Sequence, residues 1–453
     1  MTNAKTQTLK FLSALWLVCI SVAYHAQQAE PDQLSFGLKE AQDYAVKNNP
    51  GLKGVRFDAD AAALQTKQLL GIGLPQLNGS VEYQNFLNLP TSIVPGEFIG
   101  APGQDLRLQF GVPQQMTAGL SASQLLFDGS WLVGLEASKS YAKLQQQQVA
   151  LTERDVRKNV MDSYGLVLIA QEGLGLLEQN RSILLQTLAE SSLLLKEGFV
   201  EEQTVDQLQL NLNDLDNRIA NAQAQVTLTK NLLKFNMGMP LEKNISLTAT
   251  SNELLMDNTA QILSTTFNPE STLDFQLAKT GLGMQELNLK NERAKVLPNM
   301  VAFYSLQTQA LRRDFSFQDT SQPWFPVQLW GVRLNVPIFS GGQRYYSIEK
   351  AKVNVYKTTE TVNAAKEGLS LEYYTAKTEY QNALGNFNLT KSNYQLAQKI
   401  QNTTLIKFKE GIASSFDLAQ SNSQVLMAQG NYVQAMLALF NAQTKLQKSL
   451  NQL

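Results

Sequence analysis

Cys19 and His25 are the only cysteine and the only histidine in this 453-residue chain, and both stand near its start. Thiolate nucleophiles, disulfides, histidine bases and His/Cys metal sites would all depend on these two side chains. Their surroundings read as a leader. Lys5 and Lys10 precede the apolar run "FLSALWLVCISVA", and the small residues Ser21, Ala23 and Ala26 follow, which is the layout of a secretory signal peptide. The run is shorter than the ~20 residues of a comfortable transmembrane helix. Residues 1–26 are therefore expected to form the signal region, with cleavage between 23 and 29. The residues before Cys19, "WLV", lack the small side chain of a lipoprotein cleavage site, so no lipid anchor is expected there. Processing takes away the cysteine and, for any cut beyond His25, the histidine. What is left is carboxylate chemistry, and no paired-acid motif stands out in the remaining chain. No enzyme activity, cofactor or metal is expected.

The elements around this chemically quiet chain are more informative. Charged residues make up 17% of it, against about 25% in ordinary soluble domains, and Gln, Asn, Ser and Ala fill many surface-like positions. The net charge of −1 selects neither nucleic acid nor an anionic membrane as a partner.

Past the leader the sequence divides into similar halves, 34–240 and 269–453, joined by a mixed polar connector at 241–268. Each half reads as helix, Pro, strand, loop, strand, Gly, very long helix, Gly turn, long helix. The segments "LKEGFVEEQTVDQLQLNL" (195–212) and "FKEGIASSFDLAQSNSQV" (408–425) align without a gap and share Lys-Glu-Gly around Gly198 and Gly411. Beyond the first glycine, Leu208, Leu212, Leu215, Ile219, Ala222 and Val226 recur at alternating spacings of four and three. Beyond the second, Val425, Ala428, Tyr432, Ala435, Leu439, Ala442 and Leu446 do the same. That stripe is a narrow seam of coiled-coil type, and an ordinary helical bundle would also use it. No Pro interrupts 131–196 or 345–409; about 65 helical residues make a rod of roughly 100 Å, which needs partners along its length.

Four segments alternate with period two, the mark of a strand with one greasy and one wet face. In "MTAGLSASQL", Met116, Ala118, Leu120 and Ala122 alternate with Thr117, Gly119, Ser121 and Ser123. In "QLWGVRLNVPI", Trp330, Val332, Leu334, Val336 and Ile338 alternate with Gly331, Arg333 and Asn335, in the same phase 212 positions on. "LPQLNGSVEY" and "LPNMVAFYSLQ" precede them and supply the partners of two hairpins, 75–127 and 298–339. Pro75 and Pro298 are expected to end the helices before them. A soluble sheet packed on helices accounts for such alternation as well as a membrane barrel does. If the strands lie in lipid, four cannot close a barrel and several chains must share one, because open edges are not viable there. Tyr83, Tyr304, Trp324 and Trp330 would then supply part of an interfacial aromatic belt.

The sequence resembles the TolC family of outer-membrane efflux and export channels. The resemblance is carried by "LSFGLKEAQDYAVKNNPGLKGVR" (34–56), with Ala41, Ala45, Asn49 and Pro50 in the family's "A…A…NP" pattern, by "VPIFSGG" (336–342), and by the two glycine tips. It implies a mostly α fold with membrane β: a long antiparallel coiled-coil barrel, and four strands per chain in a homotrimeric, twelve-stranded outer-membrane β-barrel. The internal two-fold repeat belongs to the same picture. It also implies passive conduction as the outer-membrane component of a tripartite efflux pump or type I secretion system. The partners would be outer-membrane lipid, a periplasmic membrane-fusion adaptor meeting the Gly198 and Gly411 tips, and an inner-membrane pump of the RND or ABC type. The family's entrance aspartate, six residues past the second glycine, falls on Asp417, and Glu201, Glu202 and Asp206 would add negative charge nearby. A helix N-terminus favours acids in any case. The tyrosine and arginine that latch the closed state in the best-known members fall on Phe408 and Ala413, so the polar latch is missing. Glu82 and Arg333 are candidates for the barrel lumen. The competing reading is a periplasmic coiled-coil structural or adaptor protein with a small soluble sheet.

Overall fold

A computed structural model describes residues 33–95, 100, 102–103, 106–256 and 259–452. The expected signal peptide, with Cys19 and His25, lies outside the described residues. In chain order, β1 (Gln33–Phe36) leads into α1 (Leu38–Asn48) and α2 (Pro50–Ile72). Next come β2 (Gln76–Asn85), β3 (Thr91–Val94), β4 (Leu106–Gln109) and β5 (Gln114–Phe127), then the long α3 (Gly129–Lys196) and α4 (Glu202–Met237). Beyond β6 (Asn244–Leu247), the short α5 (Ser251–Met256) and α6 (Thr259–Ser264) and a 3₁₀ turn at Pro269–Ser271 precede α7 (Leu273–Ala294). The chain continues through β7 (Asn299–Arg312), β8 (Phe325–Asn335), α8 (Gln343–Lys409) and α9 (Ser415–Ser449).

Two compact units result. One gathers the residues up to Lys53, Glu153–Phe267 and those from Tyr373 on; the other holds Gly54–Thr152 and Asn268–Glu372. The first has a helical core in which Met161, Tyr380, Phe387, Met436, Leu439 and Phe440 are buried together. The stripes anticipated from spacing supply much of its packing: Leu208, Leu212, Leu215 and Ile219 are buried on α4, and Val425, Tyr432, Ala435, Leu439, Ala442 and Leu446 on α9. The "A…A…NP" pattern acts locally. Ala41 and Ala45, one turn apart on α1, are fully buried. The Asn49 side-chain oxygen accepts from the Leu52 N–H at 3.1 Å and its amide donates to the Asn236 carbonyl at 3.0 Å. Asn49 thereby caps α2, and Pro50 occupies the first turn, where a missing N–H costs little.

The connector is more structured than its composition suggested. β6 pairs in parallel with β1, Leu34 opposite Ile245, and the fully buried Tyr164 of α3 donates its hydroxyl to the Phe36 carbonyl at 2.9 Å. The loop of the first hairpin likewise contains a small antiparallel pair, β3 with β4.

In the second unit, β2, β5, β7 and β8 form one sheet in that order, antiparallel throughout. The two hairpins join through β5 and β7, with Leu120 opposite Leu306. Register places Leu77, Ala122, Tyr304 and Trp330 in one row, and Val81 and Ala118 in another on the same face. The opposite face carries Asn78, Ser121 and Ser305, then Glu82, Thr117 and Gln309. One expectation needs correction: β8 ends at Asn335, so Val336 and Ile338 are not strand residues. Pro337 cannot donate to a ladder, which ends pairing there, and Ile338 and Phe339 stand almost fully exposed.

Candidate functional site

Two places carry the residues singled out above: the helical turns of the first unit and the polar sheet face of the second. Each turn closes on a glycine in the left-handed region, Gly198 at φ 77° and Gly411 at φ 71°. At the first, the Gly198 N–H donates to the Leu195 carbonyl at 3.0 Å and the Phe199 N–H to the Leu194 carbonyl at 2.9 Å. At the second, Gly411 donates to Phe408 at 3.0 Å and Ile412 to Lys407 at 2.8 Å. This is the Schellman pattern, which satisfies the last carbonyls of a helix and needs a positive φ that glycine adopts without strain.

Asp417 sits in the first turn of α9, exposed, in a reciprocal capping box. Its carboxylate accepts from the Ser414 N–H at 2.9 Å and from the Ser414 hydroxyl at 2.7 Å, while its own N–H donates to that hydroxyl oxygen at 3.2 Å. The hydrogen bonds from Ser414 hold its carboxyl below the usual aspartate range, so it is a fixed negative charge at a helix N-terminus. Glu201 occupies the N-cap of α4 without a side-chain cap bond, and Glu202 opens that helix. Asp206 lies one turn further on, and all three are exposed.

Below the turns an apolar cluster of Leu184, Leu208, Leu212, Leu215 and Leu418 locks the helices, with Phe408 packed against it. Phe408 thus fills with hydrophobic packing the position where the resemblance implied a polar latch. Two ion pairs bridge helices there. Lys409 meets Glu190 at 2.7 Å, which holds the Glu190 carboxyl below its usual range, and Arg181 of α3 meets Asp216 of α4. Sequence reasoning missed all four residues, since partners 35 or more positions apart on different helices leave no periodic signal. The same bundle also contains polar pairs: Asn180 donates to Gln429 at 2.6 Å and Gln401 to Asn422 at 2.8 Å. A cavity of about 60 Å³ opens beside Asn180, Thr187, Gln401 and Asn422, wide enough for water.

On the sheet, Glu82 and Arg333 share the polar face, Glu82 in the row of Thr117 and Gln309 and Arg333 opposite Val301. Gln84 donates to the Glu82 carboxylate at 2.7 Å. Arg333 and Glu82 lie at opposite ends of the face. The apolar face is the larger surprise in a single chain: Leu77 and Val81 are each 73% exposed and Trp330 is 80% exposed. A soluble sheet resting on helices would have covered these side chains. Among the described residues no group of His, Cys, Asp or Glu is arranged to hold a metal ion.

Residues 271–452 match the family described as "Outer membrane efflux protein". Among curated proteins none matches the chain. Several solved structures share its fold. CusC, described in connection with folding and transmembrane channel formation, superposes with a TM-score of 0.72 at 16% identity, over 91% of both chains. The outer-membrane channel CmeC of Campylobacter jejuni gives 0.69 at 18% identity, over 92% of this chain and 85% of its own. The MtrE outer-membrane channel of Neisseria gonorrhoeae, in its open state, gives 0.66 at 17% identity, over 91% and 88%.

Proposed function

We propose that this chain, which matches the outer membrane efflux protein family over residues 271–452, is one third of a passive outer-membrane duct. The observation that carries the reading is the uncovered sheet. Its four strands present a largely apolar face to one side, broken at Thr308 and Gln328, a mostly polar face to the other, and unpaired edges at β2 and β8. Lipid is the environment that makes such a face favourable, and closure with copies of itself is what lipid demands of the edges. Three copies give twelve strands, with the polar face toward a water-filled lumen. Leu126, Phe127, Ile338 and Phe339, exposed where the strands run out, suit the inner boundary of the apolar band.

In this reading the halves 34–240 and 269–453 are copies of one ancestral unit, with 241–268 as an equatorial connector. The helices line a periplasmic tunnel whose inner end is formed by the Gly198 and Gly411 turns. Those turns meet a membrane-fusion adaptor and, through it, an inner-membrane pump. Asp417, Glu201, Glu202 and Asp206, repeated three times, make the entrance acidic, which favours cations and must open for large cargo. The competing picture of a periplasmic adaptor with a soluble sheet has no support in a sheet whose greasy face is bare.

The mass of the mature protein in mild detergent, by light scattering corrected for bound detergent, tests the proposal. Three chains per particle is the expected result. A monomer that stays soluble without detergent would end it.

A further inference from the structure

On β8 the polar face of the sheet departs from its own pattern. Three successive rows run Asn78, Ser121, Ser305, Leu329; then Ser80, Gly119, Gln307, Val327; then Glu82, Thr117, Gln309, Phe325. In each row three strands contribute polar side chains or glycine, and β8 contributes an apolar one. The other face of β8 carries Trp330, Val332 and Leu334, with Gln328 its one polar side chain, so the strand has not slipped in phase; it is mainly apolar on both sides. Phe325, Val327 and Leu329 are 50%, 51% and 45% exposed. Pairing of the β8 edge with a second copy would not hide them, because strands pair in the plane of the sheet while side chains stand perpendicular to it.

The row beyond Leu329 extends the same strip. Gly331 lies opposite Phe303, whose ring crosses so closely that a Cβ at residue 331 would come within 2.8 Å of it. Past that ring stands Arg333, exposed, its guanidinium 5.4 Å from the Phe303 centroid. Among the described residues no carboxylate lies within 4 Å of it. From Phe325 to Arg333 the strip is roughly 27 Å long at strand rise. It is greasy along its length and ends in an unneutralised cation seated on an aromatic face, a seat that keeps the charge while partly desolvating it.

We propose that this lane binds and guides anionic amphiphiles through the lumen, the apolar chain lying along Phe325, Val327, Leu329 and Phe303 and the acidic head at Arg333. The inference rests on the lumenal placement of the polar face proposed above, and a trimer would hold three such lanes. Charge is screened within about 10 Å in salt, so the head must come to Arg333 rather than be drawn from afar. A uniformly polar wall would give a passing alkyl chain nothing to rest on.

Single-channel recording of the full mature protein in planar bilayers, with n-alkanesulfonates of rising chain length as blockers, tests this. Residence times should lengthen by about twofold per added methylene, half-exposed lane residues giving roughly half of full burial. Alkyltrimethylammonium ions of equal length should leave sooner. Arg333→Gln should abolish that head-group preference while keeping the chain-length trend. A triple variant with Phe325, Val327 and Leu329 all replaced by Ser should flatten the trend while keeping conductance. Open channels whose block is independent of chain length, or a preference for sulfonate over ammonium heads that is the same in Arg333→Gln and the wild type, would overturn the lane alone. A protein that conducts nothing would overturn the duct, and the lane with it.

Discussion

Around the helical turns, Leu208, Leu212, Leu215 and Leu418 point into a shared core, whereas on the sheet Leu77, Val81 and Trp330 stand exposed among the described residues. Both regions are built from simple apolar periodicities, one near 3.6 and one of two. In the first the protein supplies its own apolar partner; in the second the partner must come from outside. On the proposed reading, the difference is how a chain of ordinary overall hydrophobicity addresses two solvents. It concentrates charge and polar caps at the turns and leaves a bare greasy face on a short sheet.

The sharpest way to break this comparison is a charge on the bare face. Val332→Arg should cost about 2–4 kcal/mol per chain if the residue lies at mid-bilayer depth, and heat-resistant oligomers in outer-membrane extracts should fall to a small fraction of wild type. Normal assembly would mean that the face does not meet lipid. Next in size is the apolar core under the turns. Leu215→Ala should destabilise that unit by about 3 kcal/mol through lost burial and a cavity, lowering the denaturation midpoint while leaving membrane insertion intact. An unchanged midpoint would show the bundle closing around the gap.

A smaller effect is expected at the turns themselves. Gly411→Ala forces a side chain into a left-handed φ at a cost of about 1–2 kcal/mol, although nothing crowds the position. Protease nicking near residue 411 should therefore rise while the core melts as before. The smallest structural effect, and the most specific functional one, belongs to Asp417. Its carboxyl is held below the aspartate range by Ser414. The capping contribution is therefore complete above the ordinary aspartate value and is lost only as pH falls through the lowered one. Cation preference in bilayers should accordingly be the same at pH 5 and pH 7 and should decline only at stronger acidity. Asp417→Asn should reduce that preference at neutral pH, and selectivity untouched by the substitution would place the residue away from the constriction.

Much of this was legible in the residues. The two long helices, their glycine ends and four of the strands follow from spacing, because helix and strand periods are local properties. The capping box at Ser414 and Asp417 was equally local, a Ser three positions before an acid, although its sequence signal was read only as a turn or helix start. The four-residue strands β1, β3, β4 and β6 escaped, being too short for alternation to register, and β1 meets β6 across more than 200 residues. The strand assignment beyond Asn335 overreached because apolar spacing continued through Pro337, where the backbone could not.

The sequence alone determined which of the longer segments are helix or strand and which face of each is greasy. Those properties depend on near neighbours along the chain. The tertiary structure decided that β5 and β7 join the two hairpins, that Phe408 packs against the leucine cluster under the turns, that Lys409 finds Glu190, and that among the described residues no helix covers the apolar face of the sheet. Each of these is a meeting of residues far apart in sequence. Such meetings depend on which distant surfaces fit once loop-closure entropy has been overcome, and local pattern holds no record of them.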